Sequence, residues 1–357
     1  MINITNRDDI YESLRSEEME DSGPSLSKYE LFTYPADFTL EVLKIKWDKK
    51  EIVIPDWQRK YVWKLTQASQ LIDSFLLGIP VPAIYLYSQV GVENLLVIDG
   101  QQRLITIFNY FDGTIKISDK EQLFKIKIQS ESEWANKSFK DLNDDCQKKL
   151  KNCVLRAFII KQLNENDNSS IYHVFQRLNT GGTFLSDQEI RNCLYFSPFS
   201  ELLKTLNTHK EWRLILGSNQ QDKRYRDVEL ILRFFCLREQ WAQYKKPMKM
   251  FLSEYMRNIK NTENIDEYER IFKNTTKQII ENLGEKPFIL KKSLNAALLD
   301  SVYVAFSTSQ SIIPNDIQER YKILKANEIF LSFITEHTTD IEKVKGRIQI
   351  AKQILFG

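Results

Sequence analysis

A chain of 357 residues that is 42% hydrophobic and 27% charged is long enough for two buried cores and too apolar to stay disordered. Its 50 basic and 48 acidic residues leave a formal charge of +2, which excludes a global field that recruits nucleic acid; a local patch must carry any such contact. Cys146, Cys153, Cys193 and Cys236 are too widely spaced for a CxxC pair, and the histidines are His173, His209 and His337. Zinc, haem and iron–sulfur clusters are therefore not expected, and the thiols are expected to be reduced in the cytoplasm. Neither a signal-peptide pattern at Met1–Asp9 nor a run of roughly eighteen apolar residues is present, so no membrane partner is expected.

In chain order, residues 1–34 form an acidic extension, with Glu17, Glu18, Glu20 and Asp21 clustered, expected as a short helix and turn on the surface or against a partner. Phe38 to Lys46 fits a strand or a helix, and Ile52–Ile54 is a short extended piece stopped by Pro55. Thr66 is the expected N-cap of a helix that turns Leu71, Ile72, Phe75 and Leu76 to one side and ends at Gly78, before Pro80. Ala83–Tyr87 and Leu95–Ile98 read as buried strands, the second running straight into Asp99 and Gly100. A helix beginning within Gln101 and Gln102 turns Leu104, Ile105, Ile107 and Phe108 inward. Leu123–Ile128 alternates like a strand with one wet face, and Val154–Ile160 looks like a central strand. Beyond the polar turn at 164–169, helical spacing predicts helices near 171–178, 187–196, 224–239, 248–259, 263–282 and 294–306, with two or three more. The class is α+β: a small mixed α/β domain at 35–165, then a mainly helical domain at 166–357.

The segment Asp99-Gly100-Gln101-Gln102-Arg103 concentrates chemistry at a strand-to-helix junction. Unpaired amides at a helix start receive anions, and Gly100 permits a left-handed turn or a close backbone approach by a ligand. Arg103 presents a planar donor fork for phosphate, and the two amides donate to phosphate or read a base edge. Asp99 suits Mg2+ held against that phosphate, or a positioned water. The plainer alternative is a turn with Arg103 in a surface ion pair. No GxxxxGK[ST] segment occurs, so an ordinary P-loop is excluded.

Two further segments share this theme. Upstream, Gln58 and Arg59 lie among Trp57, Tyr61 and Trp63, aromatics that serve as a stacking surface or, for two of the three, as core anchors. A second guanidinium at Arg59 would suit a triphosphate better than Arg103 alone. Downstream, a helix-to-helix joint runs from Phe175 to Arg191. Ser186 and Glu189 form a capping box, and Gly181 or Gly182 supplies the turn. Arg177, Asn179, Gln188 and Arg191 are left without an evident structural task.

In order and spacing, the segments at 54–63 (Ile-Pro-x-x-Gln-Arg-x-Tyr-x-Trp), 71–80, 97–104 (Val-Ile-Asp-Gly-Gln-Gln-Arg-Leu) and 175–186 (Phe-Gln-Arg-Leu-Asn-Thr-Gly-Gly-Thr-x-Leu-Ser) resemble the N-terminal domain of GmrSD-type modification-dependent restriction endonucleases. The resemblance is strong over about 35–200 and looser through Lys223–Leu230 and Arg233–Phe235. It implies a core akin to the ParB and sulfiredoxin fold and NTP binding or hydrolysis that controls action on DNA. It further implies a nucleotide loop at Asp99, Gly100, Gln101, Gln102 and Arg103, flanked by Gln58 and Arg59 and by Arg177, Asn179 and Gly182. Relatives of this type often add a His-Asn-His nuclease domain. Here the last hundred residues contain His337 as their one histidine, so a cutting step would fall to a separate nuclease subunit.

The leading expectation is an NTP-binding, NTP-hydrolysing protein of a restriction, defence or DNA-processing system, using Mg2+. Asp99 and Glu189 are its candidate water-orienting residues, and Gln188 and Arg191 add nucleotide contacts. The alternative is a non-catalytic DNA-binding or regulatory subunit, with Lys223, Arg224, Arg226, Lys245 and Lys246 as phosphate contacts, unless these are ordinary solvated helix faces. A metal-dependent nuclease within the ParB-like domain ranks third, because a dense carboxylate set is missing.

Overall fold

The computed structural model describes residues 11–20, 31–54, 61–88, 94–117, 120–128, 131–162, 174 and 186–357, apart from 260–261, 291 and 310–311. Two compact units divide the chain: residues 27–185 form one, and residues 1–26 together with 186–357 form the other. The expected class holds, a mixed α/β region followed by a largely helical one.

The α/β unit is built on a five-stranded sheet. Its strands are β1 (Leu31–Thr39), β2 (Ile52–Val53), β3 (Ile84–Ser88), β4 (Leu95–Asp99) and, later in the chain, Val154–Gln162. A small hairpin of β5 (Thr114–Ile117) and β6 (Lys120–Leu123) makes the late strand β7, and the sheet order is β1-β7-β3-β4-β2. β7 pairs antiparallel with β1 and parallel with β3, which places it inside the sheet as its run of apolar residues predicts. Helices α2 (Leu40–Asp48), α3 (Leu65–Leu77), α4 (Gln101–Asp112) and α5 (Asp144–Asn152) supply apolar residues to a core shared with one face of the sheet. From the strands, Ile84, Leu86, Val97, Leu155 and Ala157 contribute; from the helices, Leu43, Ile72, Leu104 and Ile107.

Local signals explain most boundaries. The ambiguous stretch 38–46 divides at Thr39, which ends β1 and caps α2 by accepting from the Val42 amide at 3.3 Å. α5 has Asn143 as N-cap, acids at Asp144 and Asp145, and Lys149 and Lys151 in its last turn, all complementing the helix dipole. α3 departs from expectation at its start. It begins at Leu65, and the Lys64 amide donates to Gln67 Oε1 at 3.0 Å, so Thr66 is inside the helix and not its cap. The predicted end at Gly78 is correct, with φ of +75°. The stretch 123–128 also differs. Phe124 and Ile126 are buried as the alternation requires, but their amides donate to the Gly113 and Lys137 carbonyls, so this is an irregular segment packed on the core beyond β6.

The helical unit begins with α1 (Glu12–Glu20), the predicted acidic helix, which is docked rather than superficial. Tyr11, Leu14 and Glu17 are buried, and Ser13 Oγ donates to the Leu294 carbonyl at 2.8 Å. From residue 186 follow α6 (Asp187–Leu194), α7 (Pro198–Leu206), α8 (Lys210–Leu216), α9 (Arg226–Gln240), α10 (Met248–Ile259) and α11 (Ile265–Leu283). After a short hairpin of β8 (Ile289–Leu290) and β9 (Ser293–Leu294) come α12 (Ala296–Thr308), α13 (Ile317–Ala326), α14 (Glu328–Thr335) and α15 (Ile341–Phe356). α12 is buried along nearly its whole length and packs against α9 and α15.

That core contains ions as well as hydrocarbon. Arg233 donates to Asp300 Oδ2 at 2.7 Å and pairs with Glu17, while Arg347 reaches the same Asp300 oxygen at 3.1 Å. Thr338 Oγ1 donates to the other Glu17 oxygen at 2.5 Å. Two guanidinium groups thus balance two carboxylates. Burial by itself would raise the Glu17 carboxyl, but Arg233 and Arg347 outweigh it and hold the group below its ordinary range.

Candidate functional site

β4 ends at Asp99, Gly100 turns the chain with φ of +104°, and α4 starts at the next residue. The N-cap, Gly100, has no side chain with which to cap that start, in contrast with Thr39 on α2 and Asn143 on α5. A helix that opens without a side-chain cap directs its first amides toward whatever acceptor lies beyond it. Gly100 is required twice over. A Cβ there would lie 2.3 Å from Ile84 Cγ2 and 2.8 Å from Ile84 Cβ, and the positive φ disfavours any L side chain. The glycine is therefore fixed by backbone geometry and by its packing on β3, whatever a ligand needs.

Arg103, one turn into α4, folds back so that Nη2 donates to Asp99 Oδ2 at 2.8 Å; the guanidinium side chain is 15% exposed and the carboxylate 42%. The surface ion pair weighed as the plainer alternative thus exists. It does not use the whole guanidinium, because Nε is buried and has no hydrogen-bond partner among the described residues. Gln102 is occupied differently. Its Oε1 accepts from the Val62 amide at 3.0 Å, and its carbonyl accepts from Thr106 Oγ1 at 2.7 Å. With the Thr106 proton so used, Tyr61 is the donor in its 2.8 Å bond to Thr106 Oγ1. Burial pushes the Tyr61 phenol up from its ordinary value. Gln102 thereby ties the upstream segment to α4, and Tyr61 and Trp63 pack against the core as anchors. Gln101 is half-buried at the helix start.

The Tyr61–Trp63 segment, β4, Gly100 and α4 all lie within a stretch that is similar to a known domain. Residues 42–196 match the GmrSD restriction endonuclease N-terminal domain. The matched GmrSD region is somewhat under half of the chain, begins within α2 and ends just after α6. It includes both Asp99–Arg103 and Ser186–Arg191. An uncharacterized protein of Methanocaldococcus jannaschii, MJ0686, is 24% identical over 250 residues, covering 54% of this chain and 41% of that protein. The chain thus spans less than half the length of that relative.

The remaining predicted residues of the GmrSD region fall into two groups. Trp57, Gln58, Arg59, Arg177, Asn179, Gly181 and Gly182 lie outside the described residues. Gln188, Glu189 and Arg191 belong to the helical unit, and Asp99–Arg103 belong to the α/β unit. Gln188 and Arg191 have structural tasks that the sequence did not reveal, and Glu189 has the one it did. Glu189 closes the predicted capping box: its Oε2 accepts from the Ser186 amide at 2.5 Å, and Arg224 Nε lies 3.9 Å from the same oxygen. Arg191 is fully buried, donates to Gln188 Oε1 at 2.8 Å and pairs with Glu229 of α9. Gln188 in turn donates to Asn192 Oδ1 at 2.9 Å. These bonds brace α6 internally and, through Arg191 and Glu229, tie it to α9. Burial raises the Glu229 carboxyl despite Arg191 beside it.

Of the five residues expected to contact nucleic acid, Arg224, Arg226 and Lys246 make contacts within the protein. Arg226 is buried, grips Asp222 through Nε and Nη2 at 3.0 Å each, and lies over the Tyr11 ring at 5.0 Å. Arg224 is half-buried with its carbonyl accepting from Ser186 Oγ at 2.7 Å, and Lys246 pairs with Asp340 at 2.7 Å. Lys223 and Lys245 are exposed. What sequence reasoning missed is long-range pairing. Glu229 stands 38 residues from Arg191, and no periodicity links them. Among the described residues no group of three or more His, Cys, Asp or Glu side chains is placed to hold a metal, and no helix is long and apolar enough to cross a membrane.

Proposed function

We propose that the β4–Gly100–α4 junction binds the phosphates of a nucleoside triphosphate together with Mg2+, and that this occupancy governs a restriction or DNA-processing event. The observation that carries the proposal is the conjunction at one helix start: a glycine N-cap that offers α4 no capping side chain, and an Arg103 guanidinium whose Nε is buried without a partner among the described residues. An anion at that position would meet oriented amides, the positive end of a helix dipole and a charged donor fork.

The residues present fit a phosphate-bound Mg2+. That ion usually keeps several waters and takes one or two protein carboxylates, and Asp99 offers one that is 42% exposed. When bound, Mg2+ would neutralise charge on the phosphate oxygens. Arg103 then exchanges its carboxylate partner for phosphate, so the 2.8 Å Asp99–Arg103 pair is a resting arrangement that substrate replaces. With Glu189 used as a helix cap, Asp99 is also the candidate for orienting a hydrolytic water, and turnover is the finer part of the proposal. The match to a restriction endonuclease N-terminal domain supports the DNA context, and the commitment of Arg226 to Asp222 gives the DNA-only alternative less to stand on.

A thermal-shift screen of the four NTPs with Mg2+ tests the proposal, because a ligand that binds only the native state raises apparent stability. A rise that Arg103→Ala abolishes is expected. A flat response to all four, or a rise unchanged in Arg103→Ala, overturns it.

A further inference from the structure

Resting on that reading of the junction, we infer that Tyr85 and Phe158 form a stacking platform for the base of the nucleotide. Ile84 and Leu86 of β3 point into the helix-covered core, and so do Ala157 and Ile159 of β7. By alternation, Tyr85 and Phe158 project from the opposite face. They are paired neighbours on parallel strands, both half-buried, with ring centroids 5.5 Å apart and planes inclined by 22°. Beside them, the β3–β4 ladder slips. Tyr85 is paired with Asp99, but Leu86 is paired with Val97, so β4 has one extra residue at this point. Simple alternation from Val97 would turn Asp99 into the core; the bulge turns it to the face of Tyr85 instead.

A single row therefore crosses the sheet from exposed Pro35 on β1 through Phe158 and Tyr85 to Asp99, where α4 begins. With strands about 4.8 Å apart, Phe158 stands about 10 Å from Asp99. That reach is comparable to the distance from the phosphates of a nucleotide to its base. Aromatic faces stack on any base, more strongly on the larger purine rings, and need no hydrogen-bond code. The platform thus assigns the ligand a nucleobase, with purines favoured over pyrimidines by surface area rather than by edge recognition.

The experiment compares ATP with inorganic tripolyphosphate, each with Mg2+, by calorimetric titration of the full chain. Tyr85→Leu and Phe158→Leu are expected to weaken ATP about tenfold each and leave tripolyphosphate unchanged, while Tyr85→Phe keeps wild-type affinity for both. Wild-type affinities should rank ATP and GTP above CTP and UTP. Equal losses on ATP and tripolyphosphate would assign the rings a purely structural task and overturn the inference, as would no loss on ATP. If a leucine variant fails to fold, the purine preference and the ATP-to-tripolyphosphate affinity ratio of the wild type decide: no advantage for ATP refutes the platform. Failure of the wild type to bind either ligand removes the underlying nucleotide reading instead, so the two failures are separable.

Discussion

Replacing Gly100 with alanine separates two uses of a glycine. Its Cβ would sit 2.3 Å from Ile84 Cγ2, deep in the core, on a residue with φ of +104°. A positive φ costs an L residue about 1–2 kcal/mol, and an extra methyl in a packed core costs about 1–3 kcal/mol. Together they predict a loss of roughly 2–5 kcal/mol for the α/β unit. At about 2–4 °C per kcal/mol for a unit of this size, its melting transition should fall by roughly 4–20 °C. Calorimetric melting of the full chain checks this, with the helical unit's transition as an internal reference. A cycle with Ile84→Ala sharpens it: removing Cγ2 relieves part of the clash, so the double variant should lose less than the sum of the singles. Melting within about 1 °C of wild type, combined with lost nucleotide binding, would refute the argument from packing and return Gly100 to ligand approach alone.

Arg103→Ala should reduce NTP affinity by about 1.5–3 kcal/mol, measured by titration, while costing at most about 1 kcal/mol of stability, because its bond to Asp99 is partly exposed. A large stability loss would mean that the pair is structural. In the helical unit, Glu17→Ala leaves the Arg233 and Arg347 charges facing Asp300 alone and should cost about 3–5 kcal/mol in denaturant unfolding. The Glu17 carboxyl is held below its ordinary value of 4.5, so its contribution is complete above that pH and lost as pH falls through the lowered folded value. The gap between wild type and Glu17→Ala should therefore narrow in acid, and a constant gap from pH 7 to pH 3 (roughly the carboxylate range) would contradict the ion-pair account. Arg191→Met should destabilise by about 3–5 kcal/mol, and Arg191→Met combined with Glu229→Leu should recover most of it, since neither charge is then stranded. A stable double variant that nonetheless bound NTP more weakly would restore a ligand task to Arg191.

The parts of this chain visible in its sequence are those set by local rules. Apolar spacing gives α3, α4 and α10, glycine marks the end of α3 and the start of α4, and Ser186 with Glu189 marks the start of α6. Alternation foretold that Phe124 and Ile126 are buried, but not that their amides bond to Gly113 and Lys137 instead of a neighbouring strand. At the candidate site, the Asp99–Arg103 junction was legible because strand, glycine and helix adjoin. The turn of Asp99 toward Tyr85 was not, because a bulge depends on how β3 and β4 register. Gln188 and Arg191 looked available for the same reason: an internal charge pair such as Arg191–Glu229 is invisible until α6 and α9 are brought together.

The interrupted course of the helical unit bears on how the molecule is made. Residues 1–26 belong with 186–357, and the entire α/β unit is encoded between them. On the ribosome, α1 emerges well before its partners: Arg233 and Thr338, which receive Glu17, are translated more than two hundred residues later. The α/β unit is complete once residue 185 has left the exit tunnel and is able to fold while the rest is being made. The short acidic helix must therefore stay hydrated and unpaired through most of synthesis, and its abundance of glutamate suits that wait as well as it suits the final embrace of two arginines.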